Sequence, residues 1–175
     1  GSAKREGPIK NRISIDDRPE IVNKKERIGD WEIDCIIGKN HKQAVVSIVD
    51  RVSKFTLLKK VKTKHAKTVS KAIIDALKPL AKIVLTITSD NGSEFANHQK
   101  VSKALNADYY FCHPYASWER GLNENTNGLV RQYLLKGSCF AAVNDDDMIA
   151  IMDKLNSRPR KTLDYATPND LFLSG

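Results

Sequence analysis

Three apolar runs follow one another closely near the start of the chain, and they constrain the fold more than any other feature. Residues 31–37, 43–49 and 55–61 are each of strand length and separated by turn-length connections. Gaps that short favour an antiparallel meander, with Gly38 ending the first strand. The period then changes. Over 65–80, Val69, Ile73, Leu77 and Leu80 share one stripe while Lys64, Lys67, Lys71 and Lys78 lie on the other, which predicts an amphipathic helix. Residues 83–88 form a β-branched run suited to a buried parallel strand, closed by the turn residues Ser89-Asp90-Asn91-Gly92.

A short helix is predicted over 94–105, a brief strand over 109–111, and then a helix with Ser117 as its N-cap. The tail holds a helix over 145–155, the basic run Arg158-Pro159-Arg160-Lys161, and a last helix with Thr167 as N-cap and Pro168 at its first position. The order β-β-β-α-β-α-β-α predicts an α/β chain of the ribonuclease H-like kind: a five-stranded mixed sheet, three strands antiparallel and the rest parallel, flanked by helices. Residues 1–28 are polar and aperiodic, with Pro8 and Pro19, and are expected to form a linker or extended arm ahead of a domain spanning 29–175. Gly1-Ser2-Ala3 looks like the scar of a cleaved tag, so the chain is expected to be a piece of a longer protein.

With 41% hydrophobic and 29% charged residues the chain can fill a core, yet no apolar run approaches membrane-spanning length, so no membrane role and a cytoplasmic, nucleoid-associated location are expected. Cys35, Cys112 and Cys139 are odd in number and lack C-x-x-C spacing, which argues against disulfides and zinc. The pair Cys112-His113 is read the same way, as a thiol and a ring rather than a metal site. The net charge of +8 is concentrated: residues 51–82 hold ten basic residues against one acid, Asp75. Such a field suits a polyanion such as DNA as well as it suits a solvated face.

The chemistry lies in acids. Asp34 sits inside an apolar strand, where a carboxylate is costly unless paired or coordinating. Glu32 has the same parity, so an edge strand turning both to solvent is the alternative. Asp90 ends the buried strand at the carboxyl edge, where open α/β sheets place ligands; alone it would pass for an Asp-Asn-Gly turn. Glu124 follows Asp90 after 33 intervening residues, on a helix whose polar stripe continues through Asn127, Gly128 and Arg131. Three carboxylates brought to one sheet edge repel one another unless divalent cations lie between them, and two-metal phosphoryl transfer is the chemistry such a site performs. Glu119 is a competing third acid, with 28 intervening residues from Asp90.

The segments Thr88-Ser89-Asp90-Asn91-Gly92-Ser93-Glu94-Phe95 and Pro114-Tyr115-Ala116-Ser117-Trp118-Glu119-Arg120-Gly121-Leu122-Asn123-Glu124-Asn125-Thr126-Asn127-Gly128 resemble the integrase core of insertion-sequence transposases, the IS-thirty family in particular. Gly29-Asp30-Trp31-Glu32-Ile33-Asp34 looks like that family's first acidic strand, and Arg158 to Pro168 like its closing segment. Asp50-Arg51 departs from the Glu-Arg pair expected there, and no catalytic role is carried onto Asp50. The resemblance implies that Asp34, Asp90 and Glu124 are catalytic and hold two Mg²⁺ ions, with Mn²⁺ able to substitute. It implies DNA cleavage followed by joining of a 3′-hydroxyl, with double-stranded DNA (element ends and target) as substrate. It also implies a homodimer or larger assembly, and a helix-turn-helix region ahead of the core.

For the DNA backbone the candidates are Lys64, Lys67, Lys71, Asn127, Arg131, Arg158, Arg160 and Lys161. Asn91, Glu94 and His98 are either DNA contacts or helix-end residues, and Tyr115 and Trp118 suit base stacking and packing equally. Two alternatives stay open: a nuclease that hydrolyses without joining, and a catalytically silent DNA-binding module.

Overall fold

The computed structural model describes residues 9–38, 43–116, 119, 121–134 and 142–174, the side chains of 121–124 excepted. Five strands, β1 (Asp30–Ile37), β2 (Ala44–Asp50), β3 (Thr56–Val61), β4 (Thr86–Ser89) and β5 (Asp108–Phe111), form one sheet in the order β3-β2-β1-β4-β5. β1, β2 and β3 pair antiparallel, while β1–β4 and β4–β5 are parallel. The meander and the mixed sheet are as the run spacing predicts. β1 is central, not an edge, which removes the reading that Asp34 and Glu32 face solvent.

Helices cover both faces. On one side α2 (Ala66–Leu77) and α3 (His98–Leu105) set Val69, Ile73, Leu77, Val101 and Leu105 against Trp31, Ile33, Val46 and Ile48. On the other, α4 (Gly121–Leu134) and α5 (Asp145–Ser157) pack Val130, Leu134, Met148, Ile151 and Leu155 on Ile36, Val45 and Leu58. The two-residue alternation of β1 therefore sends Trp31, Ile33 and Cys35 one way and Asp30, Glu32, Asp34 and Ile36 the other. Phe172 of α6 (Pro168–Ser174) stacks on Phe55 at 4.1 Å and meets Trp31 edge-on. Thr167 and Asp170 exchange hydrogen bonds across the first turn of α6, the expected cap.

Several boundaries shift for local reasons. The helix predicted over 65–80 stops at Leu77, because Pro79 opens tight 3-10 turns over Lys78–Ile83. That leaves Thr86–Ser89 as strand, shorter than predicted. The helix expected over 94–105 divides into a 3-10 turn, Ser93–Phe95, and α3. Ser117, Trp118 and Cys139, and the tag-like residues Gly1 to Ala3, lie outside the described residues.

The aperiodic arm is built into the domain. Phe111 N–H donates to Ile13 C=O at 2.9 Å and Ser14 bridges Phe111 in parallel, so the arm lines the outer edge of β5. A helical turn, α1 (Glu20–Lys24), follows, and Val22 is fully buried. At the opposite edge, Asn156 accepts from Thr56 N–H (2.8 Å) and donates to Thr56 C=O (2.9 Å), occupying backbone groups that β3 would otherwise expose.

Candidate active site

The acids form a ladder across two strands. β1 and β4 run parallel with Asp30 opposite Thr86 and Glu32 opposite Thr88. Two residues beyond the last of these pairs stand Asp34, within β1, and Asp90, directly after the carboxyl end of β4. The lower rungs are tied off. Asp30 takes a bidentate pair from Arg27 (2.9 and 3.0 Å) and accepts from Thr86 Oγ1 at 2.8 Å. Glu32, 3% exposed, is ion-paired with Arg51, and Arg18 beside it donates to Thr88. Burial nonetheless pushes the Glu32 carboxyl above its usual range, against the pull of Arg51 and Arg18. Glu32 Oε2 and Arg18 Nε are buried with no hydrogen-bond partner, so the pairing is tight but incomplete.

The top rung differs in kind. Asp34 is 7% exposed; Oδ1 accepts from Cys35 N–H (2.9 Å) and Oδ2 from Asn127 Nδ2 (2.8 Å). Asn127 stands on α4, so this bond docks the helix on the acid. Position 124 precedes Asn127 by three residues and lies on the same stripe of α4; the Glu124 side chain lies outside the described residues. Asp90 Oδ1 accepts from Gly92 N–H at 2.9 Å, which fixes the carboxylate over its own turn. Asn91 donates to Cys112 C=O (2.7 Å) and accepts from Arg12 of the arm (2.6 Å), so the arm holds the Asp90 turn.

A further acid stands here, Glu94, which the sequence reading takes as either a DNA contact or a helix-end residue. Glu94 is 8% exposed, and its carboxylate lies against Gly92 so closely that a methyl group there would stand 2.6 Å from Oε1. A side chain at 92 would oblige the end of the Glu94 side chain to shift. Burial raises the Glu94 carboxyl, Asp90 and Asp34 add to the rise, and Lys64, 3.7 Å away, opposes it. The Cys35 thiol is pushed up chiefly by burial, then by Glu94, Asp34 and Asp90, with Lys64 again opposing. Among the described residues no three His, Cys, Asp or Glu side chains are close enough to hold an ion together.

Other candidates are placed as follows. Both oxygens of Glu119 are taken by His113, from its backbone N–H and ring Nδ1, each at 2.9 Å, while Nε2 meets Asp16 of the arm at 2.8 Å. These two acids raise the His113 pKa. His98 is 4% exposed, hydrogen-bonded to Lys10 C=O and packed on Tyr109 and Phe111, an inward structural ring. Tyr115 is fully exposed at φ 62°, so it packs in no core. Asp50 is a turn residue, accepting from Gly29, Val52 and Ser53.

Lys64 stands beside the acids, and Lys67 and Lys71 are exposed along α2, Lys71 paired with Asp75. Arg131 is exposed on α4. The 158–161 cluster is elsewhere. Asn156 binds Thr56 at the start of β3 and Lys54 donates to Thr162, which places the cluster at the end of the sheet opposite the acids. Arg160 there is partly buried and donates to Leu155 C=O at 2.9 Å, a helix-end contact.

The Integrase core domain model matches residues 24–117. The chain is 51% identical over 166 residues to the transposase for insertion sequence element IS4351 of Bacteroides fragilis, covering 95% of this chain and 51% of that protein. It is 33% identical over 168 residues to transposase InsI for insertion sequence element IS30A of Escherichia coli K12, covering 95% and 44%. The chain therefore spans about half the length of these curated relatives.

Two solved structures share the fold. A simian T-cell lymphotropic virus intasome chain has a TM-score of 0.70 at 22% identity, covering 84% of this chain and 55% of that one. The catalytic core domain of BIV integrase has a TM-score of 0.64 at 19% identity, covering 85% and 95%. The sheet order and its helices are thus those of the ribonuclease H-like integrase cores. A polar ladder ending in Asp34 and Asp90, the docked α4 and these matches agree, and the chain belongs to the integrase core domain family, with insertion-sequence transposases among its relatives.

Proposed function

We propose that this chain is the catalytic core of an insertion-sequence transposase, which cleaves DNA at an element's ends and joins the freed 3′-hydroxyl to a target phosphodiester. The observation that carries the reading is the parallel pairing of β1 with β4, each strand bearing an acid two residues beyond the last pair, Asp34 and Asp90, with α4 anchored to Asp34 through Asn127. Two carboxylates abreast, one held by neutral donors, are a donor set suited to Mg²⁺ or Mn²⁺. Glu124, on the same stripe as Asn127, would supply the third carboxylate for two ions. When bound, such ions supply Lewis-acid activation of the attacking oxygen and stabilise the leaving oxygen.

The chain's own residues do the positioning. Asn127 holds Asp34 Oδ2, and the Gly92 N–H holds Asp90 Oδ1, so neither carboxylate must reorganise when substrate arrives. Lys64 and Lys67, where β3 leads into α2, face the DNA backbone at the site, and exposed Lys71 and Arg131 extend that contact. Arg158 and Lys161 would serve DNA only in a region away from the acids. Double-stranded DNA is the partner, and a dimer or larger assembly on it is the working form. Among the described residues no helix is long and apolar enough to cross a membrane.

The test is a strand-joining assay with a labelled duplex carrying a recessed 3′-hydroxyl end, a target duplex and Mn²⁺. The expected result is a longer joined product that Asp90→Asn abolishes while DNA binding persists. Cleavage without joining would leave the nuclease reading, and binding without either would leave a silent module.

A further inference from the structure

Both nitrogens of the His113 ring lie against carboxylates. Nδ1 meets Glu119 Oε2 at 2.9 Å, and Nε2 meets Asp16 Oδ1 at 2.8 Å. A neutral imidazole carries one N–H and can donate to only one of these acids, whereas the imidazolium donates to both. The geometry is therefore that of the protonated ring. Glu119 also accepts from the His113 backbone N–H at 2.9 Å, while Glu119 N–H donates to Ala116 C=O and Ala116 N–H to His113 C=O. Asp16 belongs to the 3-10 turn Ile15–Asp17 of the arm, and Glu119 lies directly ahead of α4. The ring thus fastens the arm to the approach of the helix that Asn127 docks on Asp34. Nearby on the arm, Arg12 grips Asn91 beside Asp90 at 2.6 Å, so one short stretch is tied to both the Asp90 turn and the entry of α4. The charged groups that act on the ring are Asp16 from the arm and Glu119 from the helix approach. Its side chain is 44% exposed, so protons exchange with solvent without any opening of the fold.

We propose that His113 is a positioning residue for the DNA reaction: as an imidazolium it latches the arm, through Asp16 and Glu119, to the approach of α4 and holds that helix in its docked place over β1. Loss of the ring proton leaves one of the two acids without a donor, and the arm and the helix approach come apart. Asp16 and Glu119 hold the ring's pKa above the ordinary histidine value. The latch is therefore complete below the ordinary histidine range and opens as pH rises through the raised value. This rests on the DNA-processing reading above.

The experiment is single-turnover strand joining by the 175-residue chain at saturating DNA and Mg²⁺, across the histidine range. At each pH the wild-type rate is divided by that of His113→Gln, which removes the pH dependence of the chemical step itself. The ratio is expected to be about fivefold on the acid side, the worth of one net hydrogen bond, and to fall to about one on the alkaline side. Its midpoint should coincide with that of the His113 ring signal in an NMR titration, the signal being the one that His113→Gln lacks. Asp16→Asn, at a side chain 70% exposed, takes one acid from the ring without disturbing a core and moves both midpoints to lower pH together. Three results would overturn the inference while leaving the DNA reading intact: a ratio that does not vary with pH, a midpoint apart from that of the ring, or an Asp16→Asn chain in which the ring's midpoint moves and the rate's does not. Failure of wild type to join DNA at any pH would overturn both.

Discussion

Two rungs of one strand face show how the same residue type is put to opposite uses. Asp30 and Glu32 lie low on β1, each met by a guanidinium from Arg27 or Arg51, with Arg18 behind them. Asp34, two residues higher, is met by the amide of Asn127, and its neighbours are Asp90 and Glu94. Below, positive charge is matched to negative within the chain and locks the arm, β1 and β2 together. Above, Lys64 pairs with Glu94 beside the Asp90 turn. The lower region is built for stability, whereas the upper one gathers acids where α4 docks on the sheet.

That contrast breaks first at the top. Asp34→Asn or Asp90→Asn should lower strand joining by at least roughly a thousandfold while leaving Tm unchanged or raised, as followed by thermal unfolding. The reverse pattern is expected below. Arg51→Ala strands the buried Glu32 carboxylate and should destabilise by about 3–5 kcal/mol, on the order of 10 °C in Tm for a chain of this size. Adding Glu32→Gln should recover part of that loss, because the variants share one pair and are not additive.

Much of this contrast is legible in the sequence. The three apolar runs announce the meander, and the parity of Asp30, Glu32 and Asp34 announces a row of acids on one face. Strand centrality is not legible, because hydrophobic runs do not state their neighbours. That is why a solvent-facing Asp34 stayed open until β4 paired with β1. The arm reads as a linker since its order comes from backbone bonds to Phe111 and from Arg12, His98 and His113, none of which leave a periodic pattern. Glu94 is obscure for a related reason: its meaning depends on the turn that folds it over Gly92. Arg158-Pro159-Arg160-Lys161 misleads in the other direction. A basic run looks the same whether it faces DNA or, as Arg160 does, caps a helix end.

Smaller effects sharpen the comparison through pH. Glu94 has a raised pKa from burial, so the stability it allows is complete below the ordinary carboxylate range and is lost as pH rises through its folded value. Glu94→Gln removes that loss. Its Tm should exceed that of wild type by a few degrees at neutral pH, and the gap should close in acid, where both side chains are neutral. The smallest effect is at His113, whose pKa is raised by Asp16 and Glu119. Its hold on the arm is complete below the ordinary histidine pKa and fades as pH rises through the raised value. Amide protection factors over 10–16 should fall across that window, while those in β1 around Glu32 stay constant.

The most direct test is an anomalous difference map from crystals of the chain soaked in Mn²⁺. Peaks against Asp34 and Asp90, with none against Asp30 or Glu32, are the predicted result. Saturating Mn²⁺ that leaves Asp34 and Asp90 without a peak, with or without DNA, would contradict the assignment of the upper rung as the metal site.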